Sequence, residues 1–138
     1  MKNQYTTLIR NNANDLIKSS KEVNNFLESQ LVSSKIVYKV NLVLEEILTN
    51  IIKYAFDDKG EHDIRVLLVL EDTGLIIEFV DDGQEFNPLS VPPPRMKESI
   101  LESTEGGLGL HLVRQAVESI EYHRDKGRNV LKMTITYS

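Results

Sequence analysis

Apolar residues recur along this chain at two different periods, and the changes of period divide it into elements. Between Ser33 or Ser34 and about Ala55, the residues Ile36, Val40, Val43, Leu44, Ile47, Leu48 and Ile51 return at three- and four-residue spacing. That spacing predicts a long amphipathic helix, the main core helix. Ahead of it, Tyr5 to Ile9 is a short β-prone opening. Asn11, Asn12 and Asn14 are good cap residues for a helix to about Gln30, with Ile17, Val23 and Phe26 on or near one face. Asp63 to Glu71 is nearly all apolar, Asp72-Thr73-Gly74 turns, and Leu75 to Asp81 returns, which predicts a hairpin of central strands. A third helix is expected from Leu108 to about Ser119. Ile120 to Arg124 then opens a second hairpin that turns at Asp125-Lys126-Gly127-Arg128, with Leu131, Met133, Ile135 and Tyr137 alternating inward. The order is β, α, α, β, β, loop, α, β, β. With strands collected in hairpins, the expected class is α+β: a two-layer α/β sandwich whose mixed sheet carries its helices on one face.

Composition narrows the chemistry. At 138 residues the chain fits a single domain spanning 1–138. It has no cysteine, which removes disulfides and thiolate metal sites, and MKNQYTTLIR lacks the apolar core of a signal peptide, so a cytoplasmic location is expected. No apolar run approaches the ~20 residues of a membrane helix. A formal charge of −5 speaks against a nucleic-acid footprint and leaves a small phosphate ligand or a protein as the partner.

Three segments carry candidate chemistry. In EGGLGLHLVRQAVESI, Glu105 to Ile120, a glycine-rich turn runs straight into an amphipathic helix. Backbone N–H groups and the positive end of the helix dipole converge there, as in a phosphate site or in plain capping. A dinucleotide fold is excluded, because its glycine fingerprint follows a strand directly, whereas Gly106, Gly107 and Gly109 follow an irregular stretch with Pro88, Pro92, Pro93 and Pro94. A loop of that length inside a compact domain is usually functional. In LEEILTN, Glu46 and Asn50 stand one helical turn apart, with Lys53 continuing the stripe. They read either as a solvated polar face or as a partial oxygen shell for Mg²⁺, which completes its octahedron with waters and phosphates. In FVDDGQEFNP, Asp81 extends the inward row of Ile77 and Phe79. It either opens the turn at Asp82 and Gly83 or accepts a hydrogen bond from the exocyclic amine of adenine, with Gly83 leaving room for the ring.

Together, EEILTN, DDGQEFNP and GGLGLHLV resemble the GHKL ATP-binding superfamily, and within it the small stand-alone anti-sigma-factor serine kinases of bacterial partner switching. The closing EYHRDKGRNVLKMTI also resembles their C-terminal hairpin. The resemblance implies ATP and Mg²⁺ as cofactors, with Asn50 as the metal ligand and Glu46 as the general base. Asp81 and Gly83 would contact adenine, Gly107 and Gly109 would cradle the phosphates, and residues 88–105 would form an ATP lid. It further implies an anti-sigma regulator that phosphorylates a serine or threonine of a small STAS-type antagonist, binds a sigma factor, and forms a homodimer. A nucleotide-dependent binding module without phosphotransfer is the alternative, and a scaffold that has lost nucleotide is a third. Glu85 and Glu105 stand where the wider superfamily often has glycine, both at the lid's edges. The three histidines, His62, His111 and His123, are scattered and read as ordinary surface or packing residues.

Overall fold

In the computed structural model, which describes residues 3–58, 60–90 and 107–138, Asn12 marks the boundary between the first strand and the first helix. Strand β1 spans Asn3–Arg10, and helix α1 spans Ala13–Ser29 with the Asn12 side chain accepting from the Asp15 N–H at 2.8 Å. This is an ordinary N-cap, satisfying one of the orphan donors of the first turn. Ser33 serves α2, Ser34–Asn50, in the same way, accepting from the Ile36 N–H. The buried face of α2 is the one its spacing predicts: Ile36, Val40, Val43, Leu44, Ile47 and Leu48.

The α-helix does not continue to Ala55. Residues Ile51–Ala55 form a π-helical turn. The Ala55 carbonyl accepts from the Gln84 N–H at 2.7 Å and the Tyr54 carbonyl from Gln84 Nε2 at 2.8 Å. The last turn is thus held from outside the helix, and such widened turns are frequent at functional sites.

Strands β2 (Asp63–Leu70), β3 (Gly74–Asp81), β4 (Ser119–Asp125) and β5 (Arg128–Thr136) complete a five-stranded sheet of order β1-β2-β3-β5-β4. Every neighbouring pair is antiparallel, which corrects the expectation of a mixed sheet. The physical reason is that β5 returns between β3 and β4. Those two strands run in the same direction without touching, and a parallel ladder never forms. The β4–β5 turn places Lys126 at φ 50° and Gly127 at φ 79°, the positive pair that a tight two-residue hairpin requires.

Helix α3, Gly107–Ala116, lies beside α2 on the same face of the sheet. It is shorter than predicted, because Glu118 already donates to the Thr134 carbonyl and Ser119 pairs with Thr134. The core joins Val23 and Leu27 of α1, Leu44 and Leu48 of α2 and Val113 of α3 to Ile64, Leu68, Ile77, Phe79, Met133 and Ile135 of the sheet. Each fully buried side chain of this size contributes roughly 1.5–3 kcal/mol. Two inward assignments are corrected. Ile17 is 55% exposed, since it lies about 120° around the helix from Val23 at 100° per residue, and Ser19, Val23 and Leu27 form the buried stripe instead. Tyr137 is exposed because β5 ends at Thr136, and its N–H turns to the Thr73 carbonyl.

Candidate functional site

The site is assembled around the last turns of α2. Asn50 is only 5% exposed, and its Nδ2 donates to the Glu46 carbonyl at 2.7 Å. The amide nitrogen is thereby used within the helix, and the hard Oδ1 oxygen is the atom left to meet a cation. Among the described residues there is no group of three or more His, Cys, Asp or Glu able to hold a metal. A single carboxamide fits Mg²⁺ arriving with phosphates, an ion that keeps waters and takes few protein ligands.

Glu46, half-buried one turn earlier, presents its carboxylate to the first turn of α3. A Cβ built on Gly109 would overlap Glu46 Oε2 and Cδ, so with any other residue here the carboxylate would have to move from this position. Burial raises the Glu46 pKa, the neighbouring Glu45 charge raises it further, and Lys53 opposes both. A carboxylate poised above its ordinary range is better matched to taking a proton near neutral pH. The first-turn N–H groups of α3 are donors a helix leaves unbonded, and the Glu46 carboxylate lies against that turn.

Asp81 closes the inward row of β3 and is 4% exposed. Its Oδ1 accepts from the Gly83 N–H at 2.9 Å and from Asn129 Nδ2 at 3.0 Å. Oδ2 remains as the acceptor for a ligand. Burial raises the Asp81 pKa, and these two hydrogen bonds hold the rise in check.

Asn129 is a residue that the sequence reading missed. Besides Asp81, its Nδ2 donates to the Gln84 carbonyl at 2.9 Å, while its Oδ1 accepts from Tyr122 Oη at 2.6 Å, Arg124 Nη1 at 3.0 Å and the Phe86 N–H at 3.3 Å. It knots β5, β4 and the loop after β3 around the buried acid. The signal for it is present in the sequence: Asn129 extends the inward row of Leu131, Met133 and Ile135 just as Asp81 extends that of Ile77 and Phe79, and the two are register partners.

Gly83 sits where a Cβ would overlap the Ala55 carbonyl, so what its bare backbone admits here is the end of the π-helical turn. Arg124 Nη1 ties the Gly83 carbonyl to β4 at 2.7 Å. The result is a narrow cleft lined by Ile47, Asn50, Ile51, Asp81, Phe86 and Asn129, among others, apolar apart from a few polar atoms. That composition suits a flat heteroaromatic ring held by one or two hydrogen bonds. Asp81 and Asn50 both line this cleft, whereas Glu46 meets Gly109 one turn of α2 away from Asn50. Gly107 begins α3, and Pro88 opens the short 3₁₀ turn Pro88–Ser90, whose first carbonyl is bound by Arg114 Nη2 at 3.2 Å. Most of the predicted lid, residues 91–105, lies outside the described residues, as does Gly106. His62 is a packing residue, stacked on Phe56 at 4.2 Å with its Nε2 2.8 Å from Asp58.

Comparison with known proteins shows the family and the fold. The profile of the histidine kinase-like ATPase domain matches residues 9–135, so the chain belongs to that family. It is 28% identical to the serine/threonine-protein kinase BtrW of Bordetella bronchiseptica over 74% of this chain and 72% of that protein. It is 29% identical to the serine-protein kinase RsbW of Halalkalibacterium halodurans over 69% of this chain and 59% of that one. Among solved structures, the RsbU and RsbW domains of Rv1364c from Mycobacterium tuberculosis superpose with a TM-score of 0.66 at 14% identity, covering 97% of this chain and 32% of the other. The Acinetobacter baumannii histidine kinase AdeS superposes at 0.52 with 13% identity, covering 97% and 68%. Both share its fold.

Proposed function

We propose that this histidine kinase-like ATPase is an anti-sigma regulator that binds Mg·ATP and phosphorylates a serine or threonine of a small STAS-type antagonist. The observation that carries the reading is the seating of the Glu46 carboxylate against Gly109 at the start of α3, one helical turn from the Asn50 amide. A base and a hard oxygen ligand lie on adjacent turns of α2, and a bank of helix N–H donors opens α3 beside them.

In this reading Asp81 Oδ2 accepts from the adenine amine, and Asn129 keeps Asp81 in position and opposes the rise in its pKa that burial causes. The N–H groups from Gly107 to Gly109 bind the phosphates, and Asn50 Oδ1 ligates Mg²⁺, which when bound neutralises phosphate charge. Glu46 takes the proton of the incoming hydroxyl as the oxygen attacks the terminal phosphorus, and the bond from that phosphorus to the bridging oxygen breaks to release ADP. Most of the catalytic work in such a transfer is positioning and charge neutralisation. The names of BtrW and RsbW support the serine-kinase assignment, and the resemblance to the anti-sigma kinases implies a sigma factor as second partner and a homodimer. No helix among the described residues is long and apolar enough to cross a membrane.

Incubating the protein with labelled ATP, Mg²⁺ and a purified STAS-type antagonist from the same cell tests the reading. Label is expected on a serine or threonine of the antagonist. ATP binding without any transfer would leave a nucleotide-dependent binding module.

A further inference from the structure

The outer side of α2 carries a second feature in line with the base. Tyr38, Leu42, Glu46 and Asn50 follow one another at four-residue intervals, and so form one ridge of the helix surface. Each step turns the ridge about 40° around the axis and advances it about 6 Å. Its members sink accordingly: Tyr38 is 70% exposed, Leu42 and Glu46 are half-buried, and Asn50 is buried. The ridge therefore begins as an aromatic ring in solvent and ends in the cleft.

Leu31 stands just before this helix, in the α1–α2 turn. It is 92% exposed and adopts φ 59°, the left-handed region. The Leu31 N–H bonds the Glu28 carbonyl and the Val32 N–H bonds the Leu27 carbonyl, which is the C-terminal closure that usually places glycine at this position. Leucine here accepts the backbone strain of the left-handed region and gains no burial in the monomer. Val32 beside it is half-buried and Ser33 caps α2, so the turn is built with Leu31 as its projecting tip. Lys35 and Lys39 flank Tyr38 on the same helix, giving the apolar tip a basic border in a chain whose net charge is −5.

We propose that Leu31, Tyr38 and Leu42 form the docking surface for the protein phosphoacceptor, an antagonist with an apolar patch and an acidic rim that is guided along the α2 ridge to Glu46. This rests on the kinase reading above. Continuity selects the occupant: Tyr38 lies about 12 Å along the helix axis from the base, a reach that a small folded substrate spans between its bound patch and its acceptor hydroxyl. Exposed aromatic and aliphatic anchors with a charged border are what the centre and rim of a protein interface require.

The test compares wild type with Tyr38→Ala, Leu31→Gly and Lys35→Glu in the full chain. The measurements are transfer kinetics with a purified STAS-type antagonist, affinity for that antagonist in Mg·ATP, affinity for ATP, thermal midpoint and sedimentation. For Tyr38→Ala and Leu31→Gly, the KM for the antagonist is expected to rise about tenfold or more with kcat and ATP affinity unchanged. Lys35→Glu is expected to weaken docking most at low salt. Leu31→Gly separates docking from folding, because relief of the left-handed leucine is expected to hold or raise the midpoint while docking weakens. If the wild type binds the antagonist without transferring phosphate, the kinase reading fails, and loss of that binding in the variants still supports the surface. Unchanged antagonist KM and affinity would overturn it. So would variants that lose only self-association or only sigma-factor binding, which would assign the ridge to a second copy or to that partner.

Discussion

Gly109 and Glu46 approach so closely that a Cβ on the first would occupy the carboxylate of the second. The contact ties the position of the Glu46 carboxylate, the proposed base, to the presence of glycine at the start of α3. Gly109→Ala is expected to leave the fold nearly as stable, because alanine recovers up to about 1 kcal/mol of helix propensity and a flexible carboxylate can swing aside. Phosphate transfer should nonetheless collapse, since the group displaced is the base. A thermal melt beside a transfer assay reads both quantities, and retained transfer in Gly109→Ala would remove Glu46 from the chemistry.

Glu46→Gln keeps shape and polarity but cannot readily take a proton. ATP should bind as before while transfer to the antagonist falls by about 100-fold or more, the usual weight of general-base catalysis. A pH profile adds a sign. With the Glu46 carboxyl pushed above the usual carboxylate range by burial, the active, ionised form is lost as pH falls through that raised value. Transfer by the wild type should therefore decline on the acid side earlier than an exposed glutamate would dictate. In Glu46→Gln that limb should be absent from the residual rate.

Asp81→Asn should weaken ATP by roughly 1–3 kcal/mol, because a buried acceptor becomes a donor facing the adenine amine. GTP should already bind poorly to wild type, since its O6 would oppose Asp81 Oδ2. Equal affinities for ATP and GTP in calorimetry would exclude Asp81 as the adenine contact.

Asn129→Ala removes a hub rather than a ligand. The Tyr122 hydroxyl, the Phe86 N–H and Asp81 Oδ1 each lose a partner, and uncompensated buried polar groups cost about 1–3 kcal/mol each. Denaturant unfolding should show a loss of at least one such increment. ATP affinity should fall with it, and the Asp81 pKa should rise because its amide partner is gone. Stability unchanged from wild type would show that the network carries little.

Asn50→Ala should remove the Mg²⁺ dependence of nucleotide binding and spare the fold, since its amide serves only the Glu46 carbonyl within the helix. Titrating ATP with and without Mg²⁺ in both proteins measures this directly.

Periodicity by itself determined most of the architecture. The α2 face from Ile36 to Leu48, the caps at Asn12 and Ser33, the two hairpins and the α+β class all follow from local spacing and turn chemistry, which depend on neighbours a few residues apart. The three motifs named Glu46, Asn50, Asp81, Gly83, Gly107 and Gly109 as candidates for the same reason: each is a short run on one element. What the tertiary structure decided depends on residues distant in sequence. The sheet is wholly antiparallel because β5 inserts between β3 and β4, a choice no local pattern encodes. The helix widens after Asn50 because Gln84, more than thirty residues away, takes carbonyls from its last turn. Asn129 enters the site only through its register opposite Asp81, and Gly109 faces Glu46 only because two helices pack side by side. Local sequence sets which face of an element is apolar, whereas which polar residues meet across elements is set by the packing that buries those faces.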